Sequence, residues 1–167
     1  SHPLAVGGSG SHAQIREEFA QADVVLAIGT EFSETDYDFF FAGPVTVNGQ
    51  LIRIDIDPRQ LTRNIKADIA VVSDAALALE EINKQLVSSA AHGNEKGEAR
   101  AAKLRAALVQ QRDVKYAEFF HTIREALPEV IIAGDSTQPT YYAWLNYETE
   151  SSRRYFHTAS GVIILGC

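Results

Sequence analysis

Residues 8–13 form a glycine-rich turn whose composition suits phosphate binding. They read Gly-Ser-Gly-Ser-His-Ala, which matches the G-x-G-x-x-A pattern of dinucleotide-binding turns. In that pattern Gly8 and Gly10 would let a diphosphate approach the backbone at the N-terminus of a helix. Glu31 lies roughly 20 residues further on, where the pattern has an acid that binds a ribose. A tight structural turn would favour the same glycines, so both interpretations stay open.

A second turn of this kind spans residues 134–139, which read Gly-Asp-Ser-Thr-Gln-Pro. It follows an apolar run at 130–133 and precedes a predicted helix. Small hydroxyl side chains and backbone amides at such a junction suit a phosphate group. The alternative is an ordinary helix cap formed by Asp135 or Ser136.

Two acids follow a predicted strand at 51–56. Asp55 and Asp57 stand at its carboxyl end, which is where open parallel sheets bind ligands. There they could accept hydrogen bonds from a ribose or an adenine. The alternative is that Asp57 caps a helix begun by Pro58, since proline is favoured in the first helical turn. The two roles are compatible.

The other residues whose side chains could take part in a reaction or bind a metal give weaker signals. None of the five histidines has metal-ligand spacing with another histidine or an acid, so we interpret them as structural or solvated. The sequence has no G-x-S-x-G elbow and no P-loop lysine motif. A long aromatic segment at 29–50 is interpreted as packing or interface, with Phe39, Phe40 and Phe41 as an alternative partner surface.

Composition excludes several classes of protein. The 167 residues carry a net charge of −7, which disfavours a nucleic-acid partner because such binding needs a dense basic patch. No apolar run approaches the ~20 residues that span a bilayer, so no membrane association is expected. The one cysteine, Cys167, cannot form an internal disulfide. We therefore expect a cytoplasmic protein.

Hydrophobic periodicity predicts alternating strands and helices. Such alternation is typical of an α/β fold with a parallel sheet, whose strands are buried on both faces. The predicted strands are 23–28, 51–56, 69–72, 130–133 and 155–158, and the predicted helices are 13–22, 75–87, 99–111, 116–127 and 140–147.

A change of composition at Ser88 divides the chain. Residues 88–98 contain no large apolar side chain and are typical of an exposed linker. We predict one α/β domain at 1–87, a linker and connecting helix at 88–114, and the start of a second α/β domain at 115–167. The two predicted domains should hold separate sheets.

The order of these motifs resembles a known family. The glycine-rich turn, Ala-Asp-Val-Val-Leu-Ala-Ile-Gly at 22–29 and Ile-Arg-Ile-Asp-Ile-Asp-Pro at 52–58 resemble the Rossmann-like middle domain of the acetolactate synthase and 2-oxo-acid decarboxylase superfamily. Residues 130–139 resemble the start of its thiamine-diphosphate-binding domain. The sequence at 29–38, together with that of the second turn, most resembles the branch of 5-guanidino-2-oxopentanoate decarboxylases or acetolactate synthase-like members.

The resemblance implies roles for particular residues. Asp135, Ser136, Thr137 and Gln138 would contact the diphosphate of thiamine diphosphate, and Leu165 would support the bent cofactor under its thiazolium ring. In flavin-bearing relatives, Gly8, Gly10, Asp55 and Asp57 would face FAD. Residues 161–167 read Gly-Val-Ile-Ile-Leu-Gly-Cys, whereas family members usually have a Gly-Thr turn there.

The resemblance also implies what the parent enzyme does. It would act on a 2-oxo acid with thiamine diphosphate and Mg²⁺, by decarboxylation or by acetolactate-synthase-type carboligation, as a homo-oligomeric dimer or tetramer. The Mg²⁺ ligands and the activating acid are expected outside this sequence, so no catalytic or metal-binding residue is assigned and the fragment is expected to be inactive. The alternative is an NAD- or FAD-binding Rossmann-like module that uses the first turn and Glu31.

Overall fold

The computed structural model describes residues 2–34, 36–86, 95–149, 151 and 153–157. The chain divides into two compact units. The first unit comprises residues 10–96, and the second comprises residues 1–9 together with 97–167. The break near residue 96 falls inside the region 88–114 predicted to connect two domains, and the domain boundaries themselves stay a prediction.

The first unit contains a parallel three-stranded sheet. Its elements are α1 (Ala13–Gln21), β1 (Val24–Ile28), α2 (Phe39–Ala42), β2 (Gln50–Asp55), a 3-10 turn (Gln60–Thr62), β3 (Ile69–Val72) and α3 (Ala75–Leu86). The strands lie in the order β1-β2-β3, and Leu26, Ile52 and Ile69 share one row of the sheet. All three predicted strands are confirmed to within one residue at their ends. Among the described residues, the connections between the strands contain only α2 and the 3-10 turn, so the long helices lie before and after the three strands rather than between them.

The core of this unit lies on one face of the sheet. Ala27 and Leu51 are buried there, and the ring of Phe32 packs against them. Tyr37 and Phe39 pack around this cluster, with ring centroids of Phe32 and Tyr37 4.9 Å apart. Phe32, Tyr37 and Phe39 thus pack on the sheet, whereas Phe40 and Phe41 are exposed, and their alternative role as a partner surface stays a prediction.

The opposite face of the sheet is largely open. On the two outer strands this face is aliphatic, yet Val24, Leu26, Ile69 and Val71 are 37–52% exposed, whereas Ile54 of the central strand is buried. The prediction that these strands are buried on both faces is wrong for β1, of which the described residues cover only one face, and for β3, whose four residues are all exposed.

One charged side chain is buried in this core. Arg53 of β2 is only 1% exposed, and its guanidinium lies 5.0 Å from the centre of the Phe32 ring. It donates hydrogen bonds to the carbonyl oxygens of Thr30 (2.7 Å), Arg63 (2.7 Å) and Ile65 (2.7 Å). Burial lowers the pKa of this guanidinium, and the three acceptors compensate for part of the cost of burying the charge. Arg53 thus joins the segment after β1 to the segment after the 3-10 turn.

The second unit contains a two-stranded parallel sheet. Its elements are α4 (Glu95–Val109), α5 (Val114–Ala126), β4 (Ile132–Gly134), α6 (Gln138–Asn146) and β5 (Tyr155–His157). Helix α5 begins at Val114, two residues before the predicted start. Its N-cap residue is Asp113, whose carboxylate accepts the Lys115 amide. Strand β4 begins two residues later than predicted, because the amide of Val130 is bonded to Leu127 in the turn after α5. Residue 158, predicted to end the last strand, lies outside the described residues.

The two sheets are separate, as the sequence predicted for two α/β parts. Helices α5 and α6 pack through aromatic side chains, and the buried Phe120 stacks on Tyr142 with ring centroids 6.0 Å apart. Among the described helices, none has both the length and the apolar character to cross a membrane.

Replacing Arg53 with methionine should destabilise the first unit. The change leaves three carbonyl groups without their donor, so we expect the free energy of unfolding to fall by about 3 kcal/mol. Native-state hydrogen exchange of the β2 amides measures this unit separately from the other. Arg59→Met is the matched control, since 90% of the Arg59 side chain is exposed, and it should change the free energy by less than about 0.5 kcal/mol. Equal losses in the two variants would contradict the role assigned to Arg53.

Candidate functional site

The second predicted turn connects β4 to α6 and is organised by Asp135. Its Oδ1 accepts the Ser136 amide at 2.7 Å, and its carbonyl oxygen accepts the Thr137 amide at 2.7 Å. Thr137 is the N-cap residue of α6, and its side chain makes no capping hydrogen bond. The alternative of a cap by Asp135 or Ser136 is therefore wrong: Asp135 shapes the turn before the helix instead.

The start of α6 packs closely on the end of β4. A Cβ atom added to Gly134 would lie 2.6 Å from Oγ1 and 2.7 Å from Cγ2 of Thr140, so only glycine fits there. Thr140 Oγ1 lies 3.1 Å from Thr137 Oγ1, and its carbonyl oxygen accepts the Tyr155 hydroxyl at 3.2 Å. Burial raises the pKa of Tyr155, which keeps its phenol protonated as a donor. Sequence analysis missed Thr140, and the glycine six residues earlier was the only signal for it.

This arrangement can bind an anion at the first turn of α6. The amides of Gln138 and Thr140 have no intrahelical acceptor because they lie in the first turn of the helix, and the helix dipole favours negative charge there. The hydroxyls of Ser136 and Thr137 are close in sequence to these amides. The sequence predicted that the backbone amides of the turn would bind the phosphate. The amides of Ser136 and Thr137 instead donate hydrogen bonds to Asp135. The donors present fit a diphosphate through the helix amides and the hydroxyls.

Asp55 and Asp57 form a chain of turn hydrogen bonds at the carboxyl end of β2. Asp55 Oδ1 accepts the Asp57 amide at 2.9 Å, and Asp57 Oδ1 accepts the Arg59 amide at 2.9 Å and its Nε at 3.3 Å. The Arg59 amide, followed by the Arg59 side chain, lowers the pKa of Asp57. The prediction that Asp57 caps a helix begun by Pro58 is wrong, because no helix begins there: Asp57 closes a turn, and the 3-10 turn that follows has Arg59 as its N-cap.

The first glycine-rich turn is explained by packing. Residues 3–6 form no strand, so the strand that the dinucleotide pattern requires is absent before the turn. Gly7 and Gly8 have φ angles of 70° and 81°, which favour glycine for conformational reasons. A Cβ atom on Gly10 would lie 2.3 Å from two ring atoms of Tyr37. Glu31, the proposed ribose ligand, is paired with Arg63 at 2.8 Å.

The structure provides little evidence for a binding role of the remaining predicted residues. Leu165 lies outside the described residues. His121 forms an i,i+4 contact with Glu125 at 3.3 Å, which agrees with its interpretation as a structural or solvated residue. Within the described ranges, no cluster of three or more His, Cys, Asp or Glu side chains could hold a metal ion.

Comparison with known proteins assigns the first half of the chain to a family. Residues 1–82 match the family model described as thiamine pyrophosphate enzyme, central domain. The chain belongs to the thiamine pyrophosphate enzyme family. The resemblance stated from the sequence is confirmed, as is the mixed α/β fold with parallel strands.

Similar proteins include a decarboxylase, a synthase subunit and an oxidase. The chain is 31% identical over 159 residues to a probable 2-ketoarginine decarboxylase of Pseudomonas aeruginosa, which covers 93% of the chain and 28% of that protein. It is 30% identical over 137 residues to a probable acetolactate synthase large subunit of Methanocaldococcus jannaschii, covering 77% of the chain and 23% of that protein. A pyruvate oxidase of Lactiplantibacillus plantarum is 34% identical over 87 residues, covering 51% of the chain and 14% of that protein. The chain thus spans less than a third of the length of these relatives.

Gly10→Ala should destabilise the first unit, because the added methyl group would overlap the Tyr37 ring. We expect a loss of about 1–3 kcal/mol in the free energy of unfolding, measured by hydrogen exchange of the sheet amides. The double variant Gly10→Ala with Tyr37→Ala should lose no more than Tyr37→Ala alone, because the overlap is gone. A fully stable Gly10→Ala variant that has lost affinity for FAD would instead favour the cofactor interpretation.

The pKa of Asp57 should lie below 3.8 in a carboxyl-carbon NMR titration. Because the folded-state pKa is lowered, the carboxylate contributes to stability above the unfolded-state pKa, and this contribution is lost as the pH falls through the folded-state pKa. Arg59→Ala should raise the pKa only part of the way back, since the backbone amide, which has the largest effect, remains. Complete restoration in that variant would mean that the guanidinium alone causes the shift.

Proposed function

We propose that this chain is part of a thiamine-diphosphate-dependent enzyme that acts on 2-oxo acids, and that the β4–α6 turn contacts the cofactor's diphosphate. One observation carries the proposal: a glycine-ended strand leads through a compact polar turn into a helix whose first amides lack intrahelical acceptors. The family assignment of residues 1–82, most of which lie in the first unit, also supports it.

Each residue of the turn has a defined part in this proposal. Gln138 and Thr140 would donate backbone amides to the diphosphate oxygens, and Ser136 and Thr137 would donate hydroxyls. Asp135 would hold the turn in shape through the two amides that it accepts. This gives Asp135 a positioning role rather than a direct contact, since its carboxylate would repel the diphosphate. When bound, thiamine diphosphate supplies an electron sink for the loss of carbon dioxide from a 2-oxo acid.

The other assignments from the resemblance remain proposals. Mg²⁺ would be held by residues outside this sequence, and Leu165 would support the cofactor ring. FAD contact by Gly8, Gly10, Asp55 and Asp57 is the weakest of these assignments, since Tyr37 fills the space beside Gly10 and turn hydrogen bonds already use one oxygen of each acid. The pairing of Glu31 with Arg63 also counts against the alternative of a dinucleotide-binding module.

The substrate proposal is limited to a class. A relative named as a probable 2-ketoarginine decarboxylase covers 93% of the chain, which supports a 2-oxo acid with a decarboxylase or synthase outcome. 2-Ketoarginine is another name for 5-guanidino-2-oxopentanoate, the compound that the sequence resemblance had indicated. The whole enzyme is proposed to be a homo-oligomer, and these 167 residues alone are proposed to be inactive.

Inorganic pyrophosphate tests the diphosphate site directly. Added to the 167-residue chain at constant ionic strength, it should shift the amide NMR signals of Gln138 and Thr140 in a saturable manner. Gln138→Glu places a negative charge in the first turn of α6 and should weaken binding by about tenfold. Gln110→Glu is the matched control, since it adds the same charge just beyond the C-terminus of α4, and it should leave binding unchanged. Shifts spread evenly over the chain, or equal weakening in both variants, would refute the proposed site.

A further inference from the structure

A cavity of about 510 Å³ lies in the second unit, away from the β4–α6 turn. Residues 5–8, α4, α5 and the C-terminal end of α6 with residues 147–149 form its walls. The volume is within the range of small-molecule sites. The proposed diphosphate site lies at the opposite end of α6, and nine helical residues separate the two ends by about 12 Å.

The cavity concentrates positive charge in an acidic chain. Arg105 and Arg124 both line it, whereas the whole chain carries a net charge of −7. Glu148 is the one acid in the lining, and Arg112 binds its carboxylate at 2.6 Å. The negative charge in the wall is thus paired with a third arginine, which itself is not part of the lining.

Both guanidinium groups in the wall are held in place by the protein. Arg105 donates from Nη1 to the carbonyl oxygens of Pro3 (2.8 Å) and Ala5 (2.6 Å), and its Nη2 and Nε make no hydrogen bond within the described ranges. Arg124 lies 5.4 Å from the centre of the Tyr147 ring, and its Nη1 is 3.4 Å from the Glu148 carbonyl oxygen. A guanidinium held in this way loses little conformational entropy when it binds an anion.

The cavity also has an apolar side. Trp144, Leu145 and Val6 contribute to its lining, and the indole ring of Trp144 lies 5.9 Å from the His157 ring. An apolar wall beside two guanidinium groups suits a ligand that has an anionic head and a hydrocarbon body. A bare phosphate ion would make no use of the apolar wall.

We propose that this cavity is a binding site for a small organic carboxylate. The carboxylate is bound by Arg105 and Arg124, since planar guanidinium groups match carboxylate geometry, and the organic part packs against Trp144. The site does not depend on the proposed cofactor contact, because it shares no residue with the β4–α6 turn.

Trp144 makes the proposal measurable, since it is the only tryptophan in the chain. Sodium propionate, titrated into the 167-residue chain at constant ionic strength, should shift the indole N–H signal and change the tryptophan fluorescence. We expect half-saturation in the millimolar range, which is typical of so small a ligand. Inorganic phosphate and sodium chloride serve as reference anions and should bind more weakly.

Variants identify the groups responsible. Arg105→Gln and Arg124→Gln should each weaken propionate binding by about tenfold, the loss expected when a hydrogen bond to a charged group is removed. Lys103→Gln is the matched control, since it removes one positive charge from an exposed position on α4, and should leave binding unchanged. Arg105→Lys retains the charge without the planar group and should weaken binding less than Arg105→Gln. Circular dichroism checks that each variant remains folded.

Three outcomes would overturn the proposal. The first is an absence of saturable change at the indole, and the second is equal binding of propionate in the two arginine-to-glutamine variants and the parent chain. The third is a response to phosphate or chloride as strong as that to propionate. Shifts confined to Gln138 and Thr140 would also overturn it, because they would assign the anion to the proposed diphosphate site.

Discussion

The first unit depends on one buried cation that is bound by backbone carbonyl groups. Arg53 lies in the central strand of the sheet, and its three acceptors belong to segments that the chain reaches after β1 and after the 3-10 turn. Burying a guanidinium is costly, so this arrangement persists only while all three carbonyls remain in place. The aromatic segment packs on the same face through Phe32, whose ring lies against this guanidinium.

The turn before α6 is organised by an anion rather than by a cation. Asp135 gathers the amides of the two residues that follow it, which fixes the path of the backbone from strand to helix. The absence of a side chain on Gly134 then lets Thr140 approach the end of the strand. The first amides of α6 consequently lie at a fixed position relative to the sheet, which is the geometric requirement of the proposed diphosphate contact.

Sequence analysis predicted the elements well because their patterns are local. The β-branched run Ile-Ala-Val-Val at 69–72 predicts a strand without knowledge of its neighbours, and the structure confirms its bounds. The burial of Arg53 could not be predicted, since its acceptors lie as far as 23 residues away in the sequence. The glycine-rich pattern at 8–13 suggested a dinucleotide-binding turn for the same reason. Gly10 is needed because the Tyr37 ring lies against it, and this contact exists only in the folded chain. In the β4–α6 turn, the order of strand, turn and helix was predictable, but the hydrogen bonds of Asp135 to the next two amides were not.

Strand β3 has a consequence for the solution behaviour of these 167 residues. It is the outer strand of its sheet, all four of its residues are exposed, and none of them is charged. An edge of this kind can pair with the same edge of another molecule and begin aggregation. Lys66, Asp68 and Asp74 flank the strand and supply the charges that discourage such pairing. Association of these 167 residues through the β3 edge would thus be opposed locally by three side chains that have no part in either proposed binding site.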